Sequence, residues 1–100
     1  MIKCGIDLLR TSRLAEVNPA IRARFIHRVY TETEIAQAQD DNDTLSGIFA
    51  AKEAVSKALG TGIGKVAWQD IEILHATSGE PGVTLHGFAL EVAHAKGLVE

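Results

Sequence analysis

Residues 44 to 62 read Thr44-Leu-Ser-Gly-Ile-Phe-Ala-Ala-Lys-Glu-Ala-Val-Ser-Lys-Ala-Leu-Gly-Thr-Gly62, and this stretch decides the fold. At 100° per residue its large apolar side chains fall in one arc, while its alanines form a second face of small residues. A helix that is apolar on two sides is predicted to be central. Asp43 or Thr44 is expected to cap its start, and Gly60 to end it in the left-handed conformation.

The polar residues of this helix need an explanation, because a buried charge without a partner costs several kcal/mol. Lys52 and Ser56 fall inside the arc of large apolar residues. Glu53 and Lys57 lie one turn apart on the seam between the two apolar faces. Two interpretations stay open: a surface ion pair beside a lysine whose stem covers apolar surface, or a functional site.

The composition indicates one small domain spanning residues 1–100, with a net charge of −3 and 46% hydrophobic residues. A domain of this size is marginally stable alone, and oligomerisation would help it. The single Cys4 excludes an intramolecular disulfide. The sequence shows no leader and no long apolar run, so we expect a cytoplasmic protein that does not enter a membrane.

The spacing of apolar and turn residues predicts an α+β fold, an antiparallel sheet packed around the central helix. The positions of Pro and Gly, together with a capping-box spacing at Thr31 and Glu34, predict where the helices and strands begin and end. The predicted elements are a strand at Ile2–Leu8, a helix from Pro19, a helix after Thr31, a hairpin of strands Val66–His75 and Val83–Gly87 around a turn at Gly79–Gly82, and a closing helix at Phe88–Lys96.

Three segments carry a family resemblance. The stretch from Phe49 to Gly62 resembles the signature of the 4′-phosphopantetheinyl transferases, an aromatic residue followed by x-x-Lys-Glu-Ala-x-x-Lys, and its Ala-Leu-Gly-Thr-Gly continuation is typical of the small bacterial holo-[acyl-carrier-protein] synthases. Gly5-Ile-Asp-Leu-Leu-Arg-Thr-Ser-Arg-Leu14 is similar to the opening of that family, and Arg28-Val-Tyr-Thr-Glu-Thr-Glu34 to a later motif. Arg10 stands where the family usually has Glu, and Glu80 where it has Lys.

The resemblance implies a Mg²⁺-dependent transfer of 4′-phosphopantetheine from coenzyme A to a serine of acyl carrier protein, in fatty acid biosynthesis. A hard cation held by few carboxylates suits a diphosphate substrate, and Asp7 and Glu53 are the implied ligands. By itself, an Asp near a strand end is more often a turn or cap residue. Glu53 is also the candidate general base, directly or through a water. Lys57 is placed to meet a diphosphate oxygen, and Lys52 either does the same or braces the site.

The remaining implied contacts to coenzyme A lie at glycines and at the hairpin turn. They are Gly60, Gly62 and Pro81. On its own, the Gly60–Gly64 run is a helix stop and is too weak a pattern for a phosphate loop. The four histidines have no metal-binding spacing, and we interpret them as structural or surface residues.

All five arginines lie in one nineteen-residue segment, residues 10–28, whose only acid is Glu16. This local excess of +4 indicates either a solvated face or a docking surface for an acidic partner. The acidic remainder of the chain argues against nucleic acid. The resemblance favours acyl carrier protein. The implied contacts are Arg13, Arg22, Arg24 and Arg28.

The family usually continues into a final strand carrying Ser-x-Ser-His, whereas this sequence stops at Gly97-Leu-Val-Glu100. Members are usually trimers with sites at subunit interfaces, so a homo-oligomer is expected. Two functions from different classes stay open: an active transferase, or a catalytically weak or silent homologue that binds carrier protein or coenzyme A without turnover.

Overall fold

A computed structural model describes residues 19–61 and 66–98 of the chain. Over these residues it shows an α+β arrangement of helices and one two-stranded antiparallel sheet, as the sequence predicts. The elements are α1 Pro19–Val29, α2 Glu32–Ala38, α3 Asn42–Ala58, a 3₁₀ turn Trp68–Asp70, β1 Ile71–His75, β2 Pro81–Leu85 and α4 Gly87–Ala95. The predicted strand Ile2–Leu8 lies outside the described residues.

Helix α3 is the helix around which the described elements pack. The residues at its two ends show which of the predicted caps the structure uses. Its N-cap is Asp41, not Asp43 or Thr44, so the helix begins earlier than predicted. The Asp41 carboxylate accepts hydrogen bonds from the backbone N–H and the hydroxyl of Thr44, at 2.9 and 2.6 Å. An aspartate three residues before a free N–H matches this geometry, and Asp43 sits too late for it. At the other end Gly60 has φ +77°, as predicted.

The buried face of α3 forms the core with β1 and the aromatic residues. Phe49 is 1% exposed, and its ring stacks on Trp68 with centroids 4.7 Å apart. The hydroxyl of Tyr30, at the end of α1, donates to the carbonyl oxygen of Leu45 at 2.7 Å. Burial raises the pKa of Tyr30, so the phenol keeps its proton and remains a donor. These contacts fix α1 and the 3₁₀ turn against α3.

The second predicted face of α3 is mostly not covered by residues 19–61 and 66–98, although Ala51 packs against the core. Ala50, Ala54 and Ala58 are exposed, and Ala51 is half-buried. The close approach predicted for this face is therefore absent from the part of the chain that the structure describes.

The hairpin begins and turns at different residues than predicted. Residues 68–70 form a 3₁₀ turn, so β1 starts only at Ile71. The connecting loop spans residues 76–80, closed by a 2.8 Å hydrogen bond from the N–H of Ala76 to the carbonyl oxygen of Glu80. Pro81 therefore lies in β2, opposite His75, and not in the turn. Proline is tolerated as the first residue of a strand, where its missing N–H removes no necessary hydrogen bond.

We predict that Gly87→Ala lowers the free energy of unfolding by about 1–2 kcal/mol, because Gly87 has φ +51°, which alanine adopts only with strain. A Cβ there would also come within 3.0 Å of an Asp70 carboxylate oxygen, which would have to move. Urea denaturation of both proteins measures the change. The control is Gly47→Ala on α3, where a Cβ meets nothing within 4 Å and helix propensity predicts a gain of about 0.5–1 kcal/mol. Equal stability of Gly87→Ala and the parent would contradict the left-handed conformation assigned to Gly87.

Candidate active site

Helix α3 presents Glu53 and Lys57 one turn apart, away from the core. Glu53 is half-buried and Lys57 is exposed. The ion pair that their spacing would allow is not formed, and neither side chain pairs with another residue in ranges 19–61 and 66–98. Both charged groups are therefore available to a ligand, as far as the described residues show.

Lys52 points away from Glu53 and into the core. Its ammonium group is fully buried and lies 2.8 Å from a carboxylate oxygen of Glu34. It also donates to the carbonyl oxygens of Trp68 and Ile71, at 2.9 and 2.7 Å. An ammonium has three donors, and all three are used. In this structure Lys52 has no donor left for coenzyme A, and its position fits the alternative role of bracing the site.

The partner of Lys52, Glu34, is equally shielded from water. Its carboxylate accepts hydrogen bonds from the backbone N–H of Thr31 and of Ile73, both at 2.8 Å. The bond to Thr31 completes the capping box predicted for α2. Burial lowers the pKa of Lys52, and the Glu34 carboxylate opposes that effect. Each buried charge is thus satisfied by an opposite charge and by backbone groups, which offsets the cost of desolvation.

These two side chains, with Gln37, cover the edge of β1 that faces away from β2. Lys52 binds the carbonyl oxygen of Ile71, and Glu34 binds the N–H of Ile73. The side-chain amide of Gln37 accepts from the N–H of His75 at 2.9 Å and donates to its carbonyl oxygen at 3.1 Å. Side chains from α2 and α3 therefore occupy the place that a third strand would take.

A second polar chain runs from the same capping box to the surface. The Thr31 hydroxyl donates to Glu72 on β1 at 2.6 Å, and the other Glu72 oxygen lies 3.1 Å from Nε2 of His86. The hydrogen bond from Thr31 and then the one from His86 lower the pKa of Glu72. The role of Glu72 could not be predicted from the sequence, because its partners are distant in the chain and no motif joins them.

Of the predicted contacts to coenzyme A beyond α3, the structure describes only some. Gly60 follows the C-terminal end of α3, and a Cβ built on it would lie 2.6 Å from the ammonium nitrogen of Lys96. Pro81 is exposed at the start of β2. Gly62 lies outside the described residues. Lys96 adds a cation near the Gly60 end of α3, and no spacing rule could have linked residues so far apart in sequence.

The predicted metal ligands are described only in part. Asp7 lies outside residues 19–61 and 66–98, and within those ranges no group of three or more His, Cys, Asp or Glu could hold a metal ion. Glu53 offers one half-buried carboxylate that is bound to none of the described residues. Such an oxygen ligand fits Mg²⁺, which takes few protein carboxylates and completes its shell with phosphate and water.

The arginines of α1 divide into two kinds. Arg22 donates to Asp40 at 2.9 Å and to Asn42 at 2.5 Å, and its side chain is only 16% exposed. Both of these bonds hold the guanidinium against the α2–α3 connection, which leaves Arg22 less available to a carrier protein than Arg24 and Arg28. Arg24 and Arg28 are exposed and make no ion pair with a described residue. Arg13 lies outside the described part.

A family model described as the 4′-phosphopantetheinyl transferase superfamily matches residues 3–97, nearly the whole chain. The chain belongs to this superfamily. The match spans the three motifs on which the sequence resemblance rested, and it confirms the predicted transferase class.

Individual members of the superfamily agree. The holo-[acyl-carrier-protein] synthase of Natranaerobius thermophilus is 41% identical over 103 residues, covering 100% of this chain and 82% of the relative. That of Alkaliphilus metalliredigens is 43% identical over 107 residues, covering 100% and 84%. The crystal structure of Helicobacter pylori holo-[acyl-carrier-protein] synthase in complex with coenzyme A superimposes with a TM-score of 0.69 at 31% identity, over 80% of this chain and 70% of that one. This neighbour confirms the α+β class.

None of the helices described for this superfamily member has both the length and the apolar character needed to cross a membrane.

We predict that Glu72→Gln makes the hairpin less stable at neutral pH but not at low pH. The folded pKa of Glu72 is depressed below its ordinary value of 4.5, so its stabilising contribution is present above pH 4.5 and disappears as the pH falls through the folded pKa. Because the site is close to solvent, we expect a Tm difference on the order of a few degrees at pH 7, shrinking by pH 3. Thermal melts from pH 3 to 7 measure it. Glu91→Gln, at an exposed carboxylate on α4, is the control and should show no such trend; a pH-independent gap for Glu72→Gln would contradict the prediction.

Proposed function

We propose that this chain transfers the 4′-phosphopantetheine arm of coenzyme A to a serine hydroxyl of an acyl carrier protein of fatty acid synthesis. The observation that carries the proposal is the orientation of helix α3, which buries Lys52 and leaves Glu53 and Lys57 available on its outer side. Named relatives that cover the whole chain, and a structural neighbour solved with coenzyme A, support the choice of substrates.

In the proposed reaction the serine oxygen bonds to the phosphorus that carries pantetheine. The bond from this phosphorus to the bridging oxygen breaks, and 3′,5′-ADP leaves. Glu53 takes the hydroxyl proton, directly or through a water, and the Lys57 ammonium donates to a diphosphate oxygen. Glu53 would hold Mg²⁺ together with Asp7, as the resemblance implies. Mg²⁺, when bound, would neutralise the diphosphate and polarise the phosphorus under attack.

We also propose that the protein forms a trimer and is located in the cytoplasm. Val83, Phe88 and Leu98 are exposed apolar side chains, and they supply surface for contacts between copies in the trimer that the resemblance implies. A cytoplasmic location, where thiols stay reduced, accords with the single Cys4.

The test is mass spectrometry of apo acyl carrier protein incubated with coenzyme A, Mg²⁺ and this protein. We expect the carrier to gain the mass of one phosphopantetheine, and Glu53→Gln to slow the gain by about 100-fold or more, because an amide neither accepts the proton nor replaces an anionic ligand. Glu91→Gln on α4 is the matched control and should keep the parent rate. If the carrier gains no mass with the parent protein, while calorimetry still detects binding of coenzyme A or of carrier, the non-catalytic alternative would be established instead.

The proposed carrier dock is the face of α1 that carries Ile21, Arg24 and Arg28. These residues follow a spacing of three and then four, which places them on one side of a helix. All three are exposed, and Ile21 gives the basic face an apolar contact beside the charges. Arg suits an acidic carrier because its guanidinium pairs with carboxylates through two parallel hydrogen bonds.

We predict that Arg24→Glu with Arg28→Glu weakens carrier binding at least tenfold, about 1.4 kcal/mol, and leaves coenzyme A affinity unchanged. Calorimetry with each ligand separately, at low and at high salt, measures both effects. Ala36→Glu, which adds one acid at an exposed position of α2, controls for added negative charge away from α1 and should have little effect. Parent-like carrier affinity in the double variant at low salt would exclude this face as the dock.

A further inference from the structure

The buried Lys52–Glu34 pair joins α3 to three other elements of the fold, at the residue next to Glu53. Both side chains are 0% exposed, and their ion pair of 2.8 Å links α3 to α2. Four hydrogen bonds to backbone extend the link: from Lys52 to the carbonyl oxygens of Trp68 and Ile71, and to Glu34 from the N–H groups of Thr31 and Ile73. The helix that carries Glu53 is thus bonded to α2, to the 3₁₀ turn and to β1 through one side chain.

Stability alone does not account for a pair of this kind. Replacing a buried ion pair by apolar side chains of similar volume is often neutral or stabilising. Leucine at both positions would fill such a core without the cost of desolvating two charges. Directional bonds fix the rotation and position of a helix, whereas apolar packing alone leaves a helix freer to rotate or slide against a sheet.

Rotation of α3 decides where Glu53 points. Consecutive side chains on a helix are separated by about 100°, so fixing the direction of Lys52 fixes that of the next residue. A displacement of about 1 Å at a catalytic group can cost about 100-fold in rate. The bonds of Lys52 all lie on the core side, which leaves the outer side of α3 free of internal partners for Glu53 among the described residues.

We propose that Glu34 and Lys52 are positioning residues, whose bonds set the rotation of α3 and thereby the direction in which Glu53 is presented. The inference rests on the proposed function for the role of Glu53, but the direction of that side chain is measurable whether or not the protein transfers phosphopantetheine.

The main variant removes the ion pair and the bonds donated by Lys52 without leaving a buried charge unpaired. Glu34→Gln with Lys52→Met removes both charges together and nearly conserves volume. Glu34→Asp keeps both charges and withdraws the carboxylate by one methylene, which gives a second variant in case the double one does not fold. The matched control is Gln37→Leu, because Gln37 binds the same edge of β1 from α2 but has no bond to α3.

The kinetic test measures kcat and KM for coenzyme A with an apo carrier protein, on variants whose folding is confirmed by circular dichroism. We expect kcat to fall at least tenfold in Glu34→Gln/Lys52→Met and in Glu34→Asp, with KM within threefold of the parent. Gln37→Leu should keep kcat within threefold. A folded pair variant with parent kcat, or an equal loss in Gln37→Leu, would overturn the inference, because a general weakening of the sheet edge would then explain the data.

The second readout does not need activity. In protein labelled with ¹³C at glutamate carboxyls, the Glu53 resonance should shift or broaden in Glu34→Gln/Lys52→Met and stay unchanged in Gln37→Leu. An unchanged Glu53 resonance in the pair variant overturns the inference even if the parent transfers phosphopantetheine. A parent that transfers nothing refutes the proposed function, while this resonance still decides the positioning role.

Discussion

A lysine ammonium and a glutamate carboxylate, both shielded from water, lie in contact between helix and sheet, and groups from α2, the 3₁₀ turn and β1 satisfy them. Neither Lys52 nor Glu34 could be buried alone, since an unpaired charge in the interior costs several kcal/mol. Together they require a carbonyl from the 3₁₀ turn, two backbone groups from β1 and the capping box of α2. Satisfying this pair therefore restricts how α2, α3 and β1 can be placed relative to one another.

The burial of Lys52 also separates the roles of the two charged residues that stand side by side in the motif. Lys52 and Glu53 are adjacent in sequence, yet one enters the core and the other stays half-exposed. Helical geometry makes this division unavoidable, because neighbouring side chains diverge by about 100°. A motif that joins a buried lysine to a half-buried glutamate thus couples the placement of the helix to the direction in which the neighbouring carboxylate points.

The sequence could predict what depends on local rules. The capping box at Thr31, the αL end at Gly60 and the α+β class follow from spacing and turn chemistry, and the structure confirms them. It could not predict the partner of Lys52, because Glu34 lies far away in the chain and no periodicity joins them. The bonds of Arg22 could not be predicted for the same reason, because its partners belong to the connection between α2 and α3. A count of charges does not show which guanidinium groups are already bound within the protein.

The covering of β1 by side chains also bears on the solubility of the chain. The strand Ile71–His75 is rich in β-forming apolar residues, and an uncovered edge of such a strand is a template for pairing with another molecule. In the folded protein that edge is closed by groups belonging to α2 and α3, not by backbone. Local opening of α2 would withdraw Glu34 and Gln37 together and leave only Lys52 on that edge, so we expect the fraying of this one short helix to favour aggregation.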